Sequence, residues 1–321
     1  MFKGYLSIFA TVLLWSGFFL SLKGGAISSF TPADIAITRF LVPALVLFPV
    51  TFRARKQILS IPIRYLLGMI VGGGLPYLLI AGWAMQNATV SDGSALVPGT
   101  LPLFVSAIAV ILFSQPLSEH RKVGLGLIIV GIGLFLWSGA SENHPALLKG
   151  HLLFLVGSLM WATFTICARV SHLPALVCAG LISFVSFVLL ALLIATGVIE
   201  SSLLSPLKHH SLIEVARDWP FRELLGHLLI QGFGIGLFAS FTFLHAISIL
   251  GAERTAAFGS LTPVVATLLA MLIFNETPQL LTCLGLVCIC VGSIIASNVF
   301  IRQDASLSYQ PPQHSNNVSH R

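Results

Sequence analysis

The chain has 321 residues, 56% of them apolar and only 9% charged, with a mean hydropathy of +0.96. A soluble domain carries about 25% charged residues, so this chain has too little polar surface for water and reads as a polytopic membrane protein. The net charge of +6 is no nucleic-acid signature, because its basic residues fall in short loops between apolar runs, where membrane orientation places them.

A helix needs about 20 apolar residues to cross the hydrocarbon core. On that measure the first half predicts spans at 4–23, 33–52, 65–86, 90–113 and 121–138, and the second at 150–170, 173–197, 224–249, 252–274 and 279–300. The first run follows Lys3 like a secretion signal. It is longer than the 7–15 residues of a signal core, however, and has a counterpart in span six, so it is read as a retained helix. The longest loop, 198–222, contains a stretch from Leu212 to Trp219 with the length of a short interfacial helix, and a solvated pair, His209 and His210. The polar stretch 303–321, with Pro311 and Pro312, reads as a disordered cytoplasmic tail.

The two halves repeat one another. At one constant offset Pro102 meets Pro263, Phe113 meets Phe274, Gly124 meets Gly285 and Gly131 meets Gly292. At a second, Gly4 meets Gly150, Trp15 meets Trp161, Phe18 meets Phe164 and Lys23 meets Arg169. Residues 1–138 and 150–300 therefore read as two copies of one unit of about 150 residues. Five spans per copy force the second to enter the membrane upside down, as in many secondary transporters. The predicted fold is an all-α membrane protein with ten transmembrane helices as two inverted five-helix repeats. With the N-terminus inside, eleven Lys and Arg residues, led by Arg53, Arg55 and Lys56, fall on the inner side and five on the outer. The positive-inside rule then puts both termini in the cytoplasm.

Few residues carry chemistry. Cys167, Cys178, Cys283, Cys288 and Cys290 lie in apolar runs without zinc spacing, so neither a metal nor a cofactor is expected. Gly232, Gly234 and Gly236 resemble a nucleotide loop only superficially, since they lie inside a span; with Gly72, Gly73 and Gly74 they suit close helix packing. Arg39 is the sharpest feature. A charge within a span costs about 2.5–3.5 kcal/mol on insertion scales and usually faces a partner or a cavity. Arg39 either grips an anionic or zwitterionic substrate group or snorkels to the near interface. Trp15 and Trp161 stand at mid-depth, where tryptophan is uncommon, and either wall a pocket or simply pack. Pro98, Pro102 and Pro263 predict bends whose freed carbonyls would line a cavity. Asp92, Glu253, Arg254 and Glu276 read as solvated span ends, and His245 as a lone histidine open to structural or proton-carrying use. The candidate substrate-binding set is Arg39, Trp15, Trp161, Pro102, Pro263 and His245.

These landmarks together resemble the EamA-type transporters of the drug/metabolite transporter superfamily, over nearly all of residues 4–300. The matching elements are Trp15 with a following Lys23, Arg39 and Pro102 in the first half, then Trp161, Pro263, the run Phe274-Asn275-Glu276, Gly285 and Gly292. The chain departs from the pattern at Gln115, where an acidic residue is expected, and has no span-seven counterpart of Arg39. The resemblance implies a ten-helix inner-membrane carrier whose halves rock about a central site and which exports amino acids or related compounds. Proton coupling is also an implication of the resemblance alone. An uptake carrier and a membrane scaffold without a transport cycle are the rival readings; an enzyme is not expected, for lack of a nucleophile–base or metal constellation. The partners implied are a small-molecule substrate and the lipid bilayer, with no nucleic acid. A homodimer is among the assemblies the sequence leaves open.

Overall fold

In an apolar solvent every backbone polar group must find its partner within the protein, and these segments do so as helices. The computed structural model describes residues 1–141, 144–204, 215, 217 and 219–297, apart from the side chains of 252, 253, 256 and 257. All the regular elements among the described residues are helical. The predicted tail 303–321, His209, His210 and most of the 212–219 stretch lie outside the described residues.

Helix α1 runs Phe2–Ala26. Helix α2, Pro32–Val46, opens with a capping box: the Asp34 backbone N–H donates to the Thr31 hydroxyl, and the Thr31 N–H donates to the Asp34 carboxylate at 2.7 Å. The span expected at 33–52 is not continuous. It breaks at Leu47 and resumes as α3, Phe48–Arg53, because Pro49 has no N–H to return to the preceding turn. A short α4, Arg55–Leu59, leads to the third span, which divides at Gly74 into α5, Ile63–Gly73, and α6, Leu75–Met85. There the Leu75 N–H donates across the bundle to the Ser186 hydroxyl at 3.0 Å.

The fourth span begins with α7, Val90–Ser94, passes through a π-helical turn, Ala95–Gly99, around Pro98, and continues as α8, Leu101–Phe113. Helices α9, Glu119–Ser141, α10, Pro145–Ser171, and α11, Ala175–Ala195, are unbroken. The next span joins α12, Phe221–His227, to a π-helical stretch, Leu228–Phe238, and then α13, Ala239–Leu250. The run expected at 252–274 is divided into α14, Ala252–Gly259, and α15, Thr262–Phe274; α16 is Leu280–Ala296. Seven of these segments are long and apolar enough to cross a membrane, and α15 and α16 are shorter apolar helices. Large apolar side chains such as Ile111, Leu112, Leu272 and Leu280 point outward. In water that would be untenable; in lipid it is the favourable arrangement.

Packing follows the glycines. Helices α9 and α16 touch backbone to backbone: a Cβ on Gly124 would stand 2.6 Å from the Gly292 carbonyl oxygen, and one on Gly292 would stand 2.6 Å from that of Gly124. Gly131 and Gly285 approach each other in the same way. Each glycine of the sequence repeat thus faces the other copy's counterpart of its own neighbour. Helix α1 packs on α13 and α15, α10 packs on α5 and α8, and α2 packs on α11. The main core lies where α1, α2, α6 and α10 converge, around Phe18, Phe19, Phe40, Tyr77 and Phe154.

Candidate functional site

A cavity of about 90 Å³ lies at that convergence. Small-molecule pockets span roughly 300–1,000 Å³, so the cavity is narrow in this conformation and its lining, more than its size, marks it out. Helix α1 supplies Trp15, Phe18 and Phe19, one helical face at spacings of three and four. Helix α2 supplies Arg39 and Phe40, and the divided third span supplies Gly73, Tyr77 and Leu78. Val97, Pro98 and Leu101 come from the π-helical bend and the residues just beyond it, Trp161 from α10, and Ile235 from the second π-helical stretch. Irregular helix therefore meets the cavity on three sides.

The aromatic side chains form a connected wall. The Tyr77 ring lies 5.0 Å from Trp161 at 55° and stacks nearly parallel to Phe18, with centroids 6.4 Å apart. Trp15 is braced from behind by Phe243 at 5.1 Å, and Trp161 by Phe164 at 5.3 Å. Set into this wall is the guanidinium of Arg39. Its Nη1 donates to the carbonyl oxygen of Gln231 at 3.4 Å, and no carboxylate among the described residues forms an ion pair with it. Gln231 is fully buried; its side-chain amide donates to the Phe18 carbonyl at 3.3 Å, while its Oε1 has no partner among the described residues. The head of Arg39 therefore turns inward to the π-helical stretch and the cavity.

Trp15, Arg39 and Trp161 thus come together in one wall. Pro102 and Pro263 do not belong to it: each sits in the first turn of the helix that follows a break, α8 after Thr100 and α15 after Leu261. His245 is likewise absent from the wall and stands on the exposed face of α13. The bend carbonyls, expected to line the cavity, are engaged by hydroxyls instead. Leu96 accepts from Thr100 at 2.7 Å, Val97 from Ser158 at 2.8 Å and Gly99 from Ser293 at 2.6 Å. Tyr77, Phe40, Ile235 and Gln231 are absent from the sequence-derived set. Within apolar runs they carry no periodic or charge signal that separates them from ordinary packing residues.

A second polar cluster closes one end of the bundle. Lys23 Nζ lies 3.1 Å from Glu276 Oε1 and donates to the Ala88 carbonyl at 3.0 Å, while Glu276 Oε2 accepts the Val90 N–H at 3.0 Å. Asp92 caps the same turn by accepting the Thr89 N–H at 2.8 Å, and its Oδ1 lies 3.5 Å from Nε2 of buried His151. Asp92 and Glu276 are therefore engaged groups rather than solvated span ends. The repeat counterparts of this pair are Arg169, which is exposed and unpaired among the described residues, and the uncharged Gln115.

The model of the EamA-like transporter family matches residues 2–137 and again 148–298. The chain belongs to the EamA-like transporter family. It is 27% identical over 186 residues to the "Uncharacterized inner membrane transporter YedA" of Escherichia coli strain K12, covering 56% of this chain and 58% of that one. To a "Probable amino-acid metabolite efflux pump" of Salmonella typhimurium it is 25% identical over 159 residues, half of each chain. A solved crystal structure superposes on it with a TM-score of 0.57 at 19% identity, covering 91% of this chain and 96% of the other, which supports the helical fold alone.

Proposed function

We propose that this EamA family transporter is a secondary carrier of the cell inner membrane that exports small metabolites, amino acids or related compounds. Its mechanism would be alternating access between two inverted five-helix repeats, 1–138 and 150–300. One observation carries the reading: a guanidinium without a carboxylate partner among the described residues faces an aromatic-walled cavity. A charge at membrane depth is costly unless something answers it, and here a substrate carboxylate would do so through two parallel hydrogen bonds. Trp15 and Trp161, equivalent in the two repeats, would hold the apolar part.

The pairing of elements supports the two-repeat arrangement. Gly124 meets Gly292 while Gly131 meets Gly285, the reciprocal pattern of a two-fold axis. Trp15 rests on the eighth span while Trp161 rests on the third, again a swapped pair. The Lys23–Glu276 cluster ties α1 to the turn before α7 and to the end of α15, so it would act as the closed outer gate. The resemblance of part of the chain to a probable amino-acid metabolite efflux pump agrees with the substrate class.

The test is efflux from liposomes containing the purified protein and loaded with a broad panel of amino acids and their analogues, with and without a pH gradient. Saturable flux of panel members is the expected result. Properly folded vesicles that release none of the panel, but do release another metabolite, would refute the substrate assignment while keeping the carrier.

A further inference from the structure

The polar groups carried by the cavity wall are one-sided. Arg39 brings only donors, Trp15 and Trp161 one indole donor each, and Tyr77 a hydroxyl; among the described residues no carboxylate or amide side chain lines the space, the amide of Gln231 being buried outside it. Neither indole N–H donates to a protein group among the described residues. The bend carbonyls, the natural acceptors for an ammonium, already accept from Thr100, Ser158 and Ser293. The wall as described carries a single positive charge.

We infer that the preferred ligand of this cavity is an aromatic monocarboxylate without an α-ammonium group, a flat apolar body bearing one negative charge. The inference rests on reading the cavity as the transport site and, within the substrate class proposed above, favours related compounds that lack the amino group over amino acids themselves. A monocarboxylate neutralises Arg39 and accepts from the donors around it. A zwitterion delivers the same carboxylate but adds an ammonium with three donors, repelled by Arg39 and short of acceptors. The aromatic faces are an incomplete remedy, because Tyr77 already lies against both Trp161 and Phe18 and Trp15 is braced by Phe243. The same stacked wall favours a planar ring over a branched aliphatic body, since offset and edge contacts between rings add to the area they bury.

Three probes of one shape separate the possibilities: 3-phenylpropanoate, phenylalanine and phenethylamine, titrated by calorimetry into the full chain in detergent at neutral pH. The expected order is 3-phenylpropanoate at least tenfold tighter than phenylalanine, with no heat from phenethylamine. Arg39→Gln should abolish the heat of 3-phenylpropanoate without lowering the melting temperature, and Arg39→Lys should weaken it while keeping the ranking. Equal or tighter binding of phenylalanine overturns the inference and leaves the carrier reading standing. Binding of leucine with none of the three aromatic probes overturns it as well. The ranking on the unmodified protein decides the matter even if neither variant folds. A protein that binds 3-phenylpropanoate in this order yet moves no solute in vesicles loses the carrier reading and keeps the site.

Discussion

At the scale of the residue, Arg39 sets the strongest expectation. Arg39→Ala should lower substrate flux about 10–100-fold, the value of a hydrogen-bonded charge of roughly 1.5–3 kcal/mol, while insertion in the membrane is unchanged. Arg39→Lys keeps the charge but not the planar fork, so it should fall between the two. Initial rates in liposomes check both, and full activity of the lysine variant would argue against carboxylate gripping. Trp15→Ala and Trp161→Ala should each change apparent affinity more than maximal rate, measured as separate KM and kcat values; unchanged kinetics in both would return the rings to ordinary packing. Arg39 and the two tryptophans stand out in the sequence because a charge and two indoles at mid-depth are rare in apolar helices. Gln231 and Tyr77 do not, since their importance is set by which helix crosses which. The outward position of His245 was equally hidden: a helix apolar all round carries no stripe that marks its inner face.

At the scale of the element, hydropathy located the apolar segments but not their breaks. Leu47 divides the second span and Gly74 the third, and the second break is completed by a hydroxyl from α11, a partner remote in sequence. Ser186→Ala should therefore destabilise the protein by about 1–3 kcal/mol, the cost of a buried N–H left without its acceptor, read as a lower melting temperature in detergent. The seam of α9 and α16 leaves no room for a side chain at Gly124. Gly124→Leu should separate the two helices and cost about 1–3 kcal/mol or more, whereas Gly126→Leu, with nothing within reach of its Cβ, should be tolerated. Comparing their melting temperatures and expression separates contact at the seam from a general dislike of bulk in α9.

At the scale of the whole molecule, the orientation inferred from charge places residue 200 outside and the C-terminus inside. Reporter fusions at 200 and 321 should give opposite signals, and the same signal from both would break the ten-span count. The proposed duplication is read from Pro102 and Pro263, and from Gly124 and Gly285, recurring at one offset; what such a repeat does not copy is harder to weigh. On the proposed repeat Gln115 stands where Glu276 stands in the second half, and that difference would leave the two mouths of the bundle unequal. If the halves rock as proposed, exposing the Lys23 mouth requires parting an ion pair that has no counterpart at Arg169 and Gln115 among the described residues. One half of the cycle would then be slowed by that separation, and Glu276→Gln, which makes the position match Gln115, should remove the difference between the two half-cycle rates. A carrier built this way would rest open toward one compartment, the mismatch between its proposed halves setting where it waits while the gradients set which way it runs.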